Sequence, residues 1–187
     1  MPKKIPDIPY LRLSEGIKLC FQNFMRLQKD ANILQKTGSY LSALPFLIYA
    51  KEELAKTILL FEKYKKKEDF VHGKRLKQTF ENHPFKLREF TKFMLSEGRD
   101  AMDSKEVERY LTSEYYLVDE ENRKDAIYVD WTDRGWVEPS RFFFTRDTEL
   151  QDIFNRQRFE FIENEINFVL SILIQDNNFK KICGIDL

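Results

Sequence analysis

The sequence has few cysteines and none of the cysteine patterns that mark small zinc-binding or disulfide-rich folds. Only two cysteines occur in 187 residues, Cys20 and Cys183, with no CxxC or Cys/His spacing. This usage indicates neither a zinc site nor a disulfide framework, and it is typical of a reducing cytoplasm, where we expect the protein. Glu52, Glu53 and one histidine also lack the two Glu-x-x-His pairs of a di-iron bundle, and the sequence has no glycine-rich phosphate loop, so we predict no metal and no cofactor.

Long apolar runs and an excess of one charge are also missing. The longest apolar run, FVLSILI at 168–174, is far shorter than the roughly 20 residues of a membrane helix, so we expect no membrane association. Lysine and arginine number 31, and so do aspartate and glutamate. This balance excludes nucleic-acid binding through bulk charge, so any RNA contact must be local.

Glycine and proline are sparse, at six each, and apolar residues recur every three or four positions without β-alternation. This pattern predicts one all-α domain, an antiparallel bundle of four to five helices, with a core at about 14–174. Residues 96–144 form a predicted insertion: a short helix, Ser104 to Val118 capped by Asp103, then an aromatic segment at 126–144 that is either an ordered loop or strand-like. The long helices are expected from Ile8 or Ser14 to Lys36, Ser39 to Lys65, about 76 to 94, and Asp147 to Ile174.

Apolar stripes on these helices predict which side chains form the core. Pro84 interrupts the third stripe, so that helix should bend or restart beside His83. On the last helix the face predicted to be buried carries Phe154, Phe161, Ile162, Ile166, Val169 and Leu173.

Glu52 lies within about 40° of the centre of an apolar stripe on the second helix, at 3.6 residues per turn. A buried carboxylate needs a partner, and the nearest available cation is Lys56, one turn on at i+4; Glu53 can also reach Lys56. The alternative interpretation is a solvated surface pair worth about 0.3 to 0.5 kcal/mol.

His83 lies in the middle of the apolar stripe of the third helix. It is either a satisfied core histidine or, once the two stripes pack, a neighbour of Glu52 and Lys56. Cations precede and follow it along the chain, at Arg75, Lys77 and Lys86. Imidazole beside cations suits RNA cleavage without a metal, because the imidazole takes the 2′-hydroxyl proton and the cations stabilise the phosphorane.

Three segments resemble the AbiV family of abortive-infection proteins, within the HEPN superfamily, over roughly residues 14 to 174. The family's Ala-x-Glu-Glu-x-x-Lys pattern is matched by Ala50, Glu52, Glu53 and Lys56, and its His-x-x-Lys pattern by His83 and Lys86. A Tyr-Val-Asp segment with a later proline is matched by Tyr128, Val129, Asp130 and Pro139.

The resemblance implies a HEPN bundle, often a homodimer, that defends bacteria against phage, with a phage-encoded activator protein as a further expected partner. Many HEPN proteins are metal-independent ribonucleases with arginine four to six residues before histidine. Here seven residues separate Arg75 from His83, and only Lys77 has a spacing in that range.

Three hypotheses follow. The first is a toxin acting on RNA or the translation machinery, with His83 as acid and base, Lys86 and Lys56 facing phosphate, Glu52 and Glu53 orienting them, and Arg75 and Lys77 binding RNA. The second is a non-catalytic protein that blocks a host or phage target, in which the polar cluster is structural. The third is a regulator that binds a nucleotide.

Overall fold

The computed structural model describes residues 6–67, 70–97, 103, 105–106, 130–132, 135–137 and 148–185. The described part is an all-α bundle, which confirms the predicted fold class. No helix in these ranges is long and apolar enough to cross a membrane. Its helices are α1 (Tyr10–Lys36), α2 (Tyr40–Lys65), α3 (Gly73–Glu81), α4 (His83–Glu97), α5 (Thr148–Leu173) and α6 (Asn177–Cys183).

Helices α1 and α2 form an antiparallel hairpin. The turn contains Gly38 at φ 77°, a left-handed conformation that glycine adopts without steric cost and that ends α1 where the sequence predicts. At the open end of the hairpin the rings of Tyr10 and Tyr64 stack, with centroids 5.1 Å apart. The α1 side chains buried against α2 and α6 are Leu13, Ile17, Phe21, Phe24, Leu27 and Ala31.

Helix α2 is the central helix, because α1, α4 and α5 all pack on it. Half of its residues are buried, including two with charged side chains, Lys51 and Glu52. Pro45 lies inside the helix near its N-terminus, where few backbone hydrogen bonds are lost. A helix that is apolar nearly all round thus occupies the core, as its sequence predicts.

The predicted break next to His83 is present. Helix α3 ends at Glu81, Asn82 is extended (φ −90°, ψ 99°), and α4 begins at His83. The Asn82 side chain caps α4 by accepting a hydrogen bond from the Phe85 amide (3.0 Å). Pro84 is tolerated in this first turn because its missing N–H has no helical partner there.

Helix α5 runs in the same direction as α2, since Phe159 meets Tyr40 and Glu165 meets Lys51. The predicted buried face is partly wrong: Phe154 and Phe161 are 46% and 56% exposed. The helix is rotated so that a neighbouring stripe faces the core, with a spacing of 4, 3, 4, 3 and 4. That stripe is Asn155, Phe159, Ile162, Ile166, Val169 and Leu173.

Helix α6 lies beyond the predicted elements. Its N-terminus is capped by Asp176, which accepts hydrogen bonds from the amides of Asn178 (2.8 Å) and Phe179 (3.3 Å). The ring of Phe179 is fully buried, edge-on to Phe21 and Phe61. This helix therefore packs on α1 and α2 beyond the C-terminal end of α5.

Two short antiparallel ladders complete the described part. Strand β1 (Ile8–Pro9) pairs with β2 (Phe70–Val71), and β3 (Asp130–Thr132) pairs with β4 (Gly135–Val137) with Trp131 opposite Trp136. The second ladder agrees with the strand-like segment predicted there. Asp103 accepts from the amides of Lys105 and Glu106, as expected of a cap, but the rest of that predicted helix lies outside the described residues, as do Tyr128, Val129 and Pro139.

Candidate functional site

Glu52 lies at the centre of a buried polar cluster formed by α2 and α4. Its side chain is 3% exposed, so the interpretation as a solvated surface residue is wrong. The Nδ1 of His83 lies 2.8 Å from Oε1 and 2.7 Å from Oε2, and the Lys86 amine donates to Oε2 at 2.7 Å. The two helices therefore meet at Glu52, His83 and Lys86, which we call the Glu52 cluster.

The carboxylate of Glu52 orients the imidazole of His83. Because an ionised carboxylate only accepts, Nδ1 carries the proton of this bond, and Nε2 of the neutral ring is then an acceptor. The His83 side chain is 40% exposed, although Glu52 beneath it is buried. This geometry can move a proton at Nε2, since the ring's other nitrogen is held by the protein.

Lys86 provides the compensating charge inside the protein. Its side chain is 3% exposed, and its amine also lies 3.4 Å from His83 Nδ1. A buried carboxylate is costly without a cation, and Lys86 supplies one within hydrogen-bond distance. In this conformation Lys86 is thus a partner of Glu52 and does not face solvent.

The expected partnership of Glu52 with Lys56 is wrong. Lys56 forms an ion pair with Glu53, one turn back on α2, and its amine lies 5.5 Å from the ring centroid of Phe80. The physical reason is that two residues from α4 occupy the Glu52 oxygens. Glu53 and Lys56 thus form a second, partly buried pair on the side of α2 that faces α3.

The two cations expected to bind RNA differ in their surroundings. Arg75 and Lys77 are both exposed on α3. Lys77 pairs with Glu81 at 3.4 Å, whereas Arg75 lines a cleft between α2, α3 and α4. Neither residue contacts the Glu52 cluster directly, because the break at Asn82 separates α3 from His83.

A second buried ion pair was not predicted. Lys51 donates to Glu165 Oε2 at 2.8 Å, linking α2 to α5, and its amine lies 5.0 Å from the Phe90 ring centroid. Periodicity could have predicted that Lys51 is buried, because it is four residues after Leu47 and three before Leu54, on an apolar stripe. Its partner is 114 residues away, and periodicity cannot identify such a pairing.

The pKa of the Cys20 thiol is raised to about 11. The largest cause is burial, the carboxylate of Glu53 also raises it, and Lys56 lowers it. Burial likewise raises the pKa of Cys183 to about 12. Both thiols are therefore protonated near neutral pH and are poor nucleophiles. No group of three histidine, cysteine or acidic side chains suited to a metal occurs among the residues that the structure describes.

The comparisons with known proteins agree with this architecture. The family model HEPN_AbiV, described as AbiV, matches residues 12–156, more than half of the chain. No curated protein and no solved structure matches significantly. All three residues of the Glu52 cluster lie within the matched range. The chain therefore belongs to the AbiV family of HEPN proteins and is an abortive-infection protein.

Proposed function

We propose that this protein halts an infected cell by cleaving RNA, as a metal-independent endoribonuclease with His83 as the acid and base. The observation that carries the proposal is the bond between Glu52 and His83 Nδ1, at 2.7 to 2.8 Å, beneath an imidazole that is 40% exposed. A carboxylate that fixes one ring nitrogen and leaves the other available is how many enzymes present a histidine base.

The reaction can be written with all atoms balanced. Nε2 of His83 accepts the proton of a ribose 2′-hydroxyl, and the 2′ oxygen forms a bond to the adjacent phosphorus. The bond from phosphorus to the 5′ oxygen breaks, and that oxygen takes a proton from the imidazolium or from water. The products carry a 2′,3′-cyclic phosphate and a 5′-hydroxyl.

Electrostatic support for the phosphorane would come from lysines close to His83. Lys86 lies within reach but is bound to Glu52, so contact with a phosphate requires it to share or leave that carboxylate. Lys56 is held by Glu53 in the same way. We propose that Glu52 and Glu53 hold these amines in place until substrate phosphate competes for them.

The test is to induce the wild type and His83→Ala in cells and to sequence RNA 5′-hydroxyl ends. We expect new ends and growth arrest for the wild type and neither for His83→Ala, with equal amounts of folded protein. Lys181→Ala, an exposed change on α6, serves as the control and should behave as the wild type. Arrest by His83→Ala would contradict the proposal.

A second candidate is a non-catalytic toxin that blocks a host or phage target by binding it. The observation that favours it is the burial of Lys86, which is 3% exposed and already paired, as in a structural network. In that case growth arrest survives His83→Ala, and no new 5′-hydroxyl ends appear. For the first candidate we propose RNA or the translation machinery as the target. Under either candidate we propose that a phage-encoded protein is the activator at the natural level of expression, and that induction to excess makes it unnecessary.

A further inference from the structure

A cleft of about 370 Å³ opens between α2, α3 and α4. Its floor is apolar and includes Leu59 and Leu76. Two cations, Lys63 and Arg75, border it, together with the aromatic ring of Phe85. None of the described residues that line it is acidic. The cleft therefore combines positive charge with an apolar and aromatic surface.

Of the two cations that border this cleft, Arg75 is the one whose charged group is more clearly available to bind an anion. Some other exposed cations of the described chain pair with a carboxylate one turn away, as Lys77 does with Glu81 and Arg156 with Glu160. Within the described residues Arg75 has no such ion pair. Its guanidinium can thus present two parallel N–H groups to an anion, a geometry that matches phosphate.

Phe85 supplies a fixed aromatic surface at the edge of the cleft. The residue is 37% exposed, and its amide is held by the Asn82 cap at 3.0 Å. Exposed aromatic rings beside cations are the surfaces on which single-stranded nucleic acids stack their bases. The apolar floor at Leu59 can cover the other side of a planar ring.

The cleft adjoins the Glu52 cluster. Leu59 lies seven residues after Glu52, on the same side of α2 and about 10 Å farther along the helix axis. Phe85 follows His83 by two residues in the first turn of α4. A chain of nucleotides can therefore occupy the cleft with a neighbouring nucleotide at His83.

We propose that this cleft binds one nucleotide, with Arg75 and Lys63 on its phosphate and Phe85 stacked on its base. The position next to His83 rests on the proposed ribonuclease function, but the binding itself does not require cleavage. The ligand is either a nucleotide within an RNA chain or a free nucleotide, because both carry the same phosphate and planar base.

The test measures the affinity of the purified full chain for a labelled single-stranded 2′-O-methyl oligoribonucleotide, which cannot be cleaved by attack of a 2′-hydroxyl. We expect Arg75→Gln to weaken binding about tenfold or more, as loss of a charged hydrogen bond does, and to reduce the salt dependence by about one phosphate contact. Phe85→Ala should weaken it about fivefold or more, and Phe85→Leu less, through lost stacking.

Lys74→Gln is the matched control, since Lys74 is exposed on the same helix but does not line the cleft, and its binding should stay within about twofold of the wild type. Adenosine monophosphate added as a competitor distinguishes the two sources: displacement indicates that a free nucleotide suffices, and no displacement indicates that the chain is required. Equal binding by the wild type, Arg75→Gln and Phe85→Ala, or no binding of either probe, overturns the proposal.

His83→Ala separates this proposal from the ribonuclease function. It should abolish cleavage, whereas its binding of the uncleavable oligonucleotide should still weaken when Arg75→Gln is added. If cleavage requires His83 but Arg75→Gln does not weaken binding, the proposal that the cleft binds a nucleotide is wrong and the ribonuclease function stands. If Arg75→Gln weakens binding but no cleavage is found, the ribonuclease function is wrong and the proposal that the cleft binds a nucleotide stands.

Discussion

At the scale of single residues, Glu52 shows how a helical bundle accommodates a buried carboxylate. An ionised carboxylate without partners costs several kcal/mol inside a protein. Glu52 meets His83 with both of its oxygens and accepts a further hydrogen bond from Lys86, whose side chain is as buried as its own. The cluster is thus held as a unit, and removing one member leaves the others unsatisfied.

Loss of the Lys86 amine should therefore destabilise the fold strongly. We expect Lys86→Met to lower the free energy of unfolding by about 3 to 5 kcal/mol, because it leaves the Glu52 carboxylate buried beside a neutral side chain. The double variant Glu52→Leu/Lys86→Met should lose less, since both charges are gone. Urea unfolding followed by circular dichroism measures both.

The control for this prediction is an exposed pair. Arg156 and Glu160 form an ion pair at 2.8 Å on the surface of α5, so Arg156→Met should leave the free energy of unfolding almost unchanged. Equal losses for Lys86→Met and Arg156→Met would show that the Glu52 cluster contributes little to stability.

The two cysteines give a prediction about pH. The pKa of the Cys20 thiol is raised from 9.0 to about 11 and that of Cys183 to about 12, mainly by burial. Near pH 8 both should react with iodoacetamide much more slowly in the native protein than in urea. Between pH 9 and about 11 the unfolded thiols ionise while the native ones do not, so the free energy of unfolding should fall as pH rises. Fast labelling of the native protein would contradict this environment.

At the scale of elements, the start of α4 is where fold and site depend on each other. Asn82 caps this helix, and His83 is its first residue. We expect Asn82→Ala to cost about 1 kcal/mol and also to reduce growth arrest, because a frayed first turn misplaces the imidazole.

Asp176 offers the matched comparison, because it caps α6 in the same way and that helix carries no residue of the Glu52 cluster. Asp176→Ala should cost a similar amount of stability and leave growth arrest unchanged. Equal loss of arrest in both variants would show that stability alone matters.

Most elements were predictable from the sequence, because their signals are local. The stop at Gly38, the restart near Pro84 and the apolar stripes of α1 and α2 each depend on residues within a few turns. The buried face of α5 was predicted correctly at its last four positions, but Phe154 and Phe161 were favoured over Phe159, which the core selects. Helix α6 has local signals too, an aspartate cap at Asp176 and a glycine stop at Gly184, which sequence reasoning passed over.

At the scale of the whole molecule, three phenylalanines of α5 form an exposed stripe. Phe154, Phe161 and Phe168 recur every seven residues and are 46%, 56% and 39% exposed. A seven-residue apolar repeat on a helix suits packing against another helix, and exposed apolar patches usually mark interfaces. We propose that this stripe is the surface through which two copies of the chain form the expected homodimer.

Phe161→Glu should therefore shift the protein from dimer to monomer in sedimentation equilibrium at micromolar concentration. Ile33→Glu, at an exposed apolar residue of α1, is the control and should leave the dimer intact. A wild type that sediments as a monomer, or a dimer that persists in Phe161→Glu, would contradict this interface.

The candidate site was only half predictable at this scale. Periodicity shows that Glu52 and His83 face the core, and two facing stripes make their contact a natural expectation. Which cation would pair with Glu52 depends on how α4 packs on α2, and proximity along the chain favoured Lys56 over Lys86. Pairings between distant helices, such as Lys51 with Glu165, arise from packing that no local pattern encodes.

The account depends most on His83 acting as a base held by Glu52. The most direct test is incubation of purified wild type and His83→Ala with a single-stranded RNA, followed by analysis of the product ends. We predict fragments with 2′,3′-cyclic phosphate and 5′-hydroxyl ends from the wild type and no fragments from a folded His83→Ala. Equal cleavage by the two proteins, or none by a wild type that arrests growth, would contradict the account.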